Sequence, residues 1–158
     1  MHCGIDPSIT GTGLIILDEE FNIVEQILIC TKNQKVDYDT EARMRYITDL
    51  IESTLLKYKE SLKSVYIEGL SFNSKGQSAA QLFGLAYLIR MRLLDNEIYY
   101  KELAPTALKK FVTGTGKCQK DLMLLKTFKK FGVEFSDNNL CDAYGLARYG
   151  AELYRSNK

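Results

Sequence analysis

The chain has 158 residues, 46% of them hydrophobic and 26% charged, with a net charge of +1. That length fits one domain spanning 1–158, and the balance is that of a soluble globular protein. No run approaches the roughly 18 apolar residues of a membrane span, and no charged-then-apolar leader precedes the first strand-like segment, so a cytoplasmic protein is expected.

In chain order, residues 3–6 read as a short apolar strand that ends at the Pro7-Ser8 turn. Residues 14–17 form a second apolar run, closed by the acidic turn Asp18-Glu19-Glu20, and residues 23–30 form a third. Three such runs joined by short polar turns suggest an antiparallel meander. A helix follows, capped by Thr40, with Met44, Ile47, Ile51, Leu55 and Tyr58 at helical spacing. Residues 65–68 read as a buried strand ending in Glu68. Residues 79–94 form a second helix, and residues 98–103 a fifth strand. Pro105 starts a short helix through Phe111, and the Gly-rich turn 113–116 follows. Helices over 120–130 and 138–154 complete the chain. The class is α/β: a mixed five-stranded sheet, antiparallel at its start and parallel later, flanked by helices.

The four cysteines, Cys3, Cys30, Cys118 and Cys141, are widely spaced and form no C-x-x-C pair, and His2 has no second histidine to work with. Structural thiols are expected, and a zinc site has little support. The charge is unevenly spread. Residues 100–158 carry 11 Lys/Arg against 6 Asp/Glu, a balance of +5, which leaves −4 for residues 1–99. Such a division suits a carboxylate metal site beside a phosphate-binding surface.

Asp6 and Glu68 each close an apolar strand, and ligand sites in open α/β sheets cluster at the carboxyl ends of strands. A buried, charged, unpaired carboxylate is costly, and a divalent cation removes the cost. Magnesium takes oxygen ligands, usually one or two carboxylates with waters and phosphate oxygens. In the last helix Asn139 and Asp142, at i and i+3, point to one face. Ala143, Gly145 and Ala147 let that helix lie close to the sheet. Each acid alone has a plainer reading: Asp6 as a cap for the Pro7-Ser8 turn, Glu68 as a lysine's partner, Asp142 as an exposed helix residue. Three of them at two strand ends and one helix is a rarer coincidence.

Lys109, Lys110, Lys117 and Lys120 bracket the Gly-rich turn, where backbone N–H groups and a following helix start favour phosphate; a solvated lysine face is the alternative. Phe72, on the polar stretch 71–77 after Glu68, is placed either to stack on an unpaired base or to tuck back onto the core.

Taken together, the motifs Gly4-Ile5-Asp6-Pro7-Ser8, Thr10-Gly11-Thr12-Gly13-Leu14, Tyr66-Ile67-Glu68-Gly69, Thr113-Gly114-Thr115-Gly116 with Lys120, and Asp142-Ala143-Tyr144-Gly145-Leu146-Ala147 resemble the RuvC-type Holliday-junction resolvases over nearly the whole chain. Its short, variant form is similar to the phage-encoded branch. The resemblance implies a ribonuclease H-like fold, a homodimer, and magnesium-dependent paired nicking of four-way DNA junctions, leaving a 5′-phosphate and a 3′-hydroxyl; whether other branched DNA is cut stays open. It places Asp6, Glu68 and Asp142 in catalytic acid positions. It implies two Mg²⁺ per site, with Mn²⁺ able to substitute, about 4 Å apart around the scissile phosphate. Asp6 would be the bridging ligand. Lys109 and Lys120 match lysines near the scissile strand, and the helix over 79–94, basic at Arg90 and Arg92, resembles the dimerisation helix.

The fourth acid of the resembling family falls on Asn139, whose oxygen can ligate a metal but cannot act as a base. Three readings stand: the asparagine is native to this branch, its role passes to Asp137, or the residue is a substitution. Asn139 also keeps open a non-cleaving or weakly cleaving junction-binding protein. An actin-like ATPase fragment is a more distant alternative, since such proteins need two domains to enclose a nucleotide. No nucleotide cofactor and no membrane partner are expected.

Overall fold

The computed structural model describes residues 1–31, 39–70 and 76–157, with the backbone alone at Lys120. Phe72 therefore lies outside the described residues. The elements are β1 (His2–Asp6), β2 (Gly11–Leu17), β3 (Ile23–Cys30), α1 (Thr40–Tyr58), a 3₁₀ turn (Lys59–Ser61), β4 (Ser64–Glu68), α2 (Gln77–Asp95), β5 (Lys101–Leu103), α3 (Pro105–Thr113), α4 (Lys120–Phe131) and α5 (Asn138–Ser156). Among the described residues no helix is long and apolar enough to cross a membrane.

The sheet runs in the order β3-β2-β1-β4-β5. β1, β2 and β3 pair antiparallel, whereas β1, β4 and β5 are parallel. Side chains alternate between the two faces of each strand, so the sheet divides the core in two. Cys3, Ile5, Leu14, Ile16, Val65 and Ile67 pack under α1 and α2. Ile15, Leu17 and Tyr66 pack under α3, α4 and α5. The same alternation places Asp6 and Glu68 on the α5 side. Ile5 pairs with Ile67, so one step further the two acids lie side by side.

α5 lies directly on β1 and β2. A Cβ at Gly13 would stand 2.2 Å from the Asn139 carbonyl oxygen, so β2 admits no side chain there. Ala143 and Ala147 take the matching positions over Gly4. The small Gly145 serves α3 instead, where a Cβ would meet Leu108 at 2.9 Å.

Three local expectations change. Asp39, not Thr40, caps α1, its carboxylate accepting from the Ala42 amide at 2.8 Å; Thr40 accepts from Gln81 instead. The fifth strand shrinks to residues 101–103 because Ile98 donates its amide to the Leu93 carbonyl at the end of α2 and buries its side chain under α1 and α2. The two arginines of α2 are engaged. Arg90 is buried and pairs with Glu102 at 2.9 Å, and Arg92 pairs with Glu52 at 2.8 Å and Asp49 at 3.2 Å. Beside Gln77, Ser78 and Asp95, α2 shows a run of large apolar side chains to solvent: Tyr87, Leu88, Met91 and Leu94.

Candidate active site

One cavity of about 250 Å³ gathers Asp6 from the end of β1, Glu68 from the end of β4, and Asn139 and Asp142 from the start of α5. These are the residues that the strand ends and the i,i+3 spacing singled out. Asp6 is only 6% exposed, while Glu68, Asn139 and Asp142 are half-buried. Burial pushes the Glu68 carboxyl above its usual range; a hydrogen bond with the Asp6 carboxyl and the positive charge of Lys109 act in the opposite sense.

The donor set fits a hard divalent cation. Carboxylates and asparagine oxygens line the cavity, and a cation would offset the desolvation that burial imposes on Glu68. Among the described residues no three acidic, cysteine or histidine side chains converge closely enough to enclose an ion by themselves. Coordination through one or two carboxylates at a time, completed by water and phosphate oxygens, is the mode that magnesium favours.

Asp137 does not line this cavity. Its Oδ1 accepts from the Asn139 amide at 2.8 Å and the Leu140 amide at 3.1 Å, the work of a helix N-cap. That cap commits Oδ1 of Asp137 to the start of α5. The side-chain Nδ2 of Asn139 lies against Gly11, 3.1 Å from where a Cβ would stand.

The lysines divide. Lys109 lines the cavity, while Lys110 and Lys117 are exposed outside it. Lys120 begins α4 directly after Gln119, which is itself at the cavity. In the Gly-rich turn, Gly114 ends α3 with φ +86° and donates to the Lys110 carbonyl at 2.9 Å. The Thr115 hydroxyl donates to the Lys117 carbonyl at 3.0 Å, which fixes the turn from within. Sequence reasoning missed Asn138, Cys118, Gln119 and Met123 at the cavity. Asn138 could have been found as the neighbour of Asn139 in the first turn of α5. The other three carry no motif and reach the cavity only because α4 packs against α5.

A mixed five-stranded sheet of this order, with acids from two neighbouring parallel strands facing one on the last helix, defines a ribonuclease H-like fold with an acidic centre. The family model described as crossover junction endodeoxyribonuclease RuvC matches residues 2–147, and the chain belongs to that family. It is 27% identical over 150 residues to the crossover junction endodeoxyribonuclease RuvC of a Sulfurovum species, covering 91% of this chain and 90% of that protein. The corresponding protein of Rhizobium etli is 29% identical over 161 residues, covering 98% and 91%. In three dimensions the fold is similar to Thermus thermophilus RuvC in complex with Holliday junction substrate. The TM-score is 0.75 at 18% identity, covering 98% of this chain and 93% of that one.

Proposed function

We propose that this protein is a divalent-metal-dependent endonuclease that resolves four-way DNA junctions by paired nicks, with Asp6, Glu68 and Asp142 as its metal-holding carboxylates. Membership of the RuvC family supports the reaction. The observation that carries the site is the meeting of Asp6 and Glu68, on adjacent parallel strands, with Asp142 of α5 around one cavity. Mg²⁺ bound there, with Mn²⁺ able to replace it and two ions per site, would polarise the scissile phosphate and acidify a water. Asp6, the most buried of the acids and hydrogen-bonded to Glu68, would be the metal ligand shared at the centre of the site. Asn139 offers a neutral oxygen beside Asp142 and holds no proton for the reaction.

Lys109 brings a positive charge to the same cavity, where it stabilises negative charge that builds on the phosphate in the transition state. Lys120, next to Gln119, acts in the same way from the start of α4. Lys110 and Lys117 hold the DNA backbone outside the cavity, and Phe72 stacks on an unpaired base at the junction centre. The exposed Tyr87, Leu88, Met91 and Leu94 of α2 form the homodimer contact, and the two sites of the dimer cut two strands. Such a protein works in the cytoplasm, that of the host if phage-encoded.

Asn139 favours one second reading, a protein that binds branched DNA and cuts it weakly or not at all. Incubating labelled four-way junctions with the protein in Mg²⁺, Mn²⁺ or EDTA decides between them. Metal-dependent paired nicks support the nuclease, and retention of intact junctions without nicks supports the binder.

A further inference from the structure

A second cavity, of about 360 Å³, opens at the other end of the sheet, walled by Tyr66, Tyr99, Tyr100 and Tyr154 with Lys63 and Lys101. It lies at the amino end of β4, four residues before Glu68, or about 13 Å along the strand at 3.3 Å per residue. The acidic cavity and this one therefore share no wall.

The opening exists because the β4–β5 ladder starts late. Tyr66 pairs with Lys101, whereas Ser64 and Val65 have no partner in β5. A smaller cavity of about 250 Å³ shares Lys63, Ser64, Val65 and Tyr99 with the first, so the gap between the strands is open on both sides. Its floor is fixed. Ser64 Oγ is hydrogen-bonded to His2 Nδ1 at 2.8 Å, and Tyr66 packs edge-on against Tyr149.

Tyr99 is 87% exposed, an unusual place for an aromatic ring that serves the fold. Its base is nevertheless rigid. Glu97 adopts φ +56°, a left-handed conformation costly for any residue with a Cβ, and donates to the Leu94 carbonyl at 2.9 Å. Ile98 is anchored in the core, so Tyr99 is held outward at the mouth of the cavity. A solvated ring on an anchored backbone, at the mouth of a cavity lined by further rings, is a stacking platform, and every nucleobase has the π-face to use it.

The cations at the mouth are not equivalent. Lys63 pairs with Glu19 and lies over the Tyr154 ring at 5.5 Å, and nearby Lys59 pairs with Glu97 at 3.8 Å. Lys101 is exposed and makes no ion pair among the described residues. One uncommitted cation beside an aromatic slot of this size suits a planar base that carries a phosphate. We propose that this cavity binds a nucleotide, its base stacked on Tyr99 and its phosphate at Lys101. A free mononucleotide and an unpaired nucleotide of a DNA strand offer the same chemistry.

Calorimetric titration of the full chain in EDTA, which keeps the acidic cavity out of play, tests this with thymidine monophosphate, with a six-nucleotide oligothymidylate and with inorganic phosphate. At least one nucleotide ligand should bind saturably. Tyr99→Ala, at an exposed position where folding is not at stake, should weaken that binding about tenfold, in keeping with the worth of one stacked base. Lys101→Glu should weaken it similarly, and Asp6→Asn should leave it unchanged. Saturation by the monophosphate that Tyr99→Ala weakens assigns the site to free nucleotides, and saturation by the oligomer alone, weakened by Tyr99→Ala but not by Lys110→Ala, assigns it to an unpaired strand. The proposal is overturned if neither nucleotide ligand saturates, if Tyr99→Ala binds as well as the wild-type protein, or if inorganic phosphate binds as tightly as the nucleotide.

Discussion

Gly4 sits so close to α5 that a Cβ on it would stand 2.0 Å from the carbonyl oxygen of Ala143. Ala143 follows Asp142 directly, so this contact sets the distance between the carboxylate on the helix and those on the sheet. Gly4→Ala must push the helix backbone away. It should cost at least about 3 kcal/mol in a denaturant titration and remove most of the nicking activity of the folded fraction. Gly132→Ala is the control, since nothing lies within 4 Å of a Cβ there and only its left-handed φ of +74° is strained, a cost of about 1–2 kcal/mol. Equal costs for the two substitutions would mean that the helix does not depend on the contact at Gly4.

The raised pKa of Glu68 carries a sign that can be measured. Both folded and unfolded protein hold the proton well below the ordinary carboxylate range, so Glu68 contributes nothing there. As pH rises through that range the unfolded chain ionises first, and the folded state pays to keep a buried acid. Glu68→Gln should therefore melt at a higher temperature than the wild type in EDTA at pH 7, with the gap closing near pH 4. Added Mg²⁺ should raise the melting temperature of the wild type and have little effect on Glu68→Gln. A variant less stable than wild type at pH 7 without metal would show that the Glu68 charge is compensated within the protein.

Asn139 shares the cavity with Asp142. Asn139→Asp adds a charged hard-oxygen donor there and should lower the Mg²⁺ concentration needed for half-maximal nicking. An unchanged metal titration would remove Asn139 from the ligands.

Because Lys109 lines the cavity and Lys110 and Lys117 lie outside it, their substitutions should separate. Lys110→Ala and Lys117→Ala should weaken junction binding and reduce its logarithmic salt slope by about one unit each, with the cleavage rate at saturating DNA intact. Lys109→Ala should slow that rate tenfold or more. Lys126→Ala and Lys129→Ala, farther along α4, should alter binding at most. Uniform small effects on binding and none on rate would reduce the basic segment to a solvated surface.

Much of the fold could be read from periodicity, because the buried residues of α1, Met44, Ile47, Ile51 and Leu55, recur at helical spacing. The acids at Asp6 and Glu68 were legible because a carboxylate after an apolar run is conspicuous. What decides the geometry between them was not. Gly4 reads as an ordinary strand residue and Gly13 falls just before the expected second strand, and only the docking of α5 shows that a side chain at either is impossible. Ile98 extends an apolar run in the sequence, but its amide goes to α2, so β5 starts three residues later. Arg90 and Arg92 read as a basic helix face, whereas their partners Glu102, Asp49 and Glu52 are brought up by other elements.

The central claim is that Asp6 holds the catalytic metal rather than the DNA. The most direct test compares wild type and Asp6→Asn for binding and nicking of the same labelled four-way junction in Mg²⁺. Binding should agree within a few-fold while nicking by Asp6→Asn falls to background. Nicking that survives the substitution, or a loss of binding as large as the loss of nicking in a folded protein, would contradict the assignment.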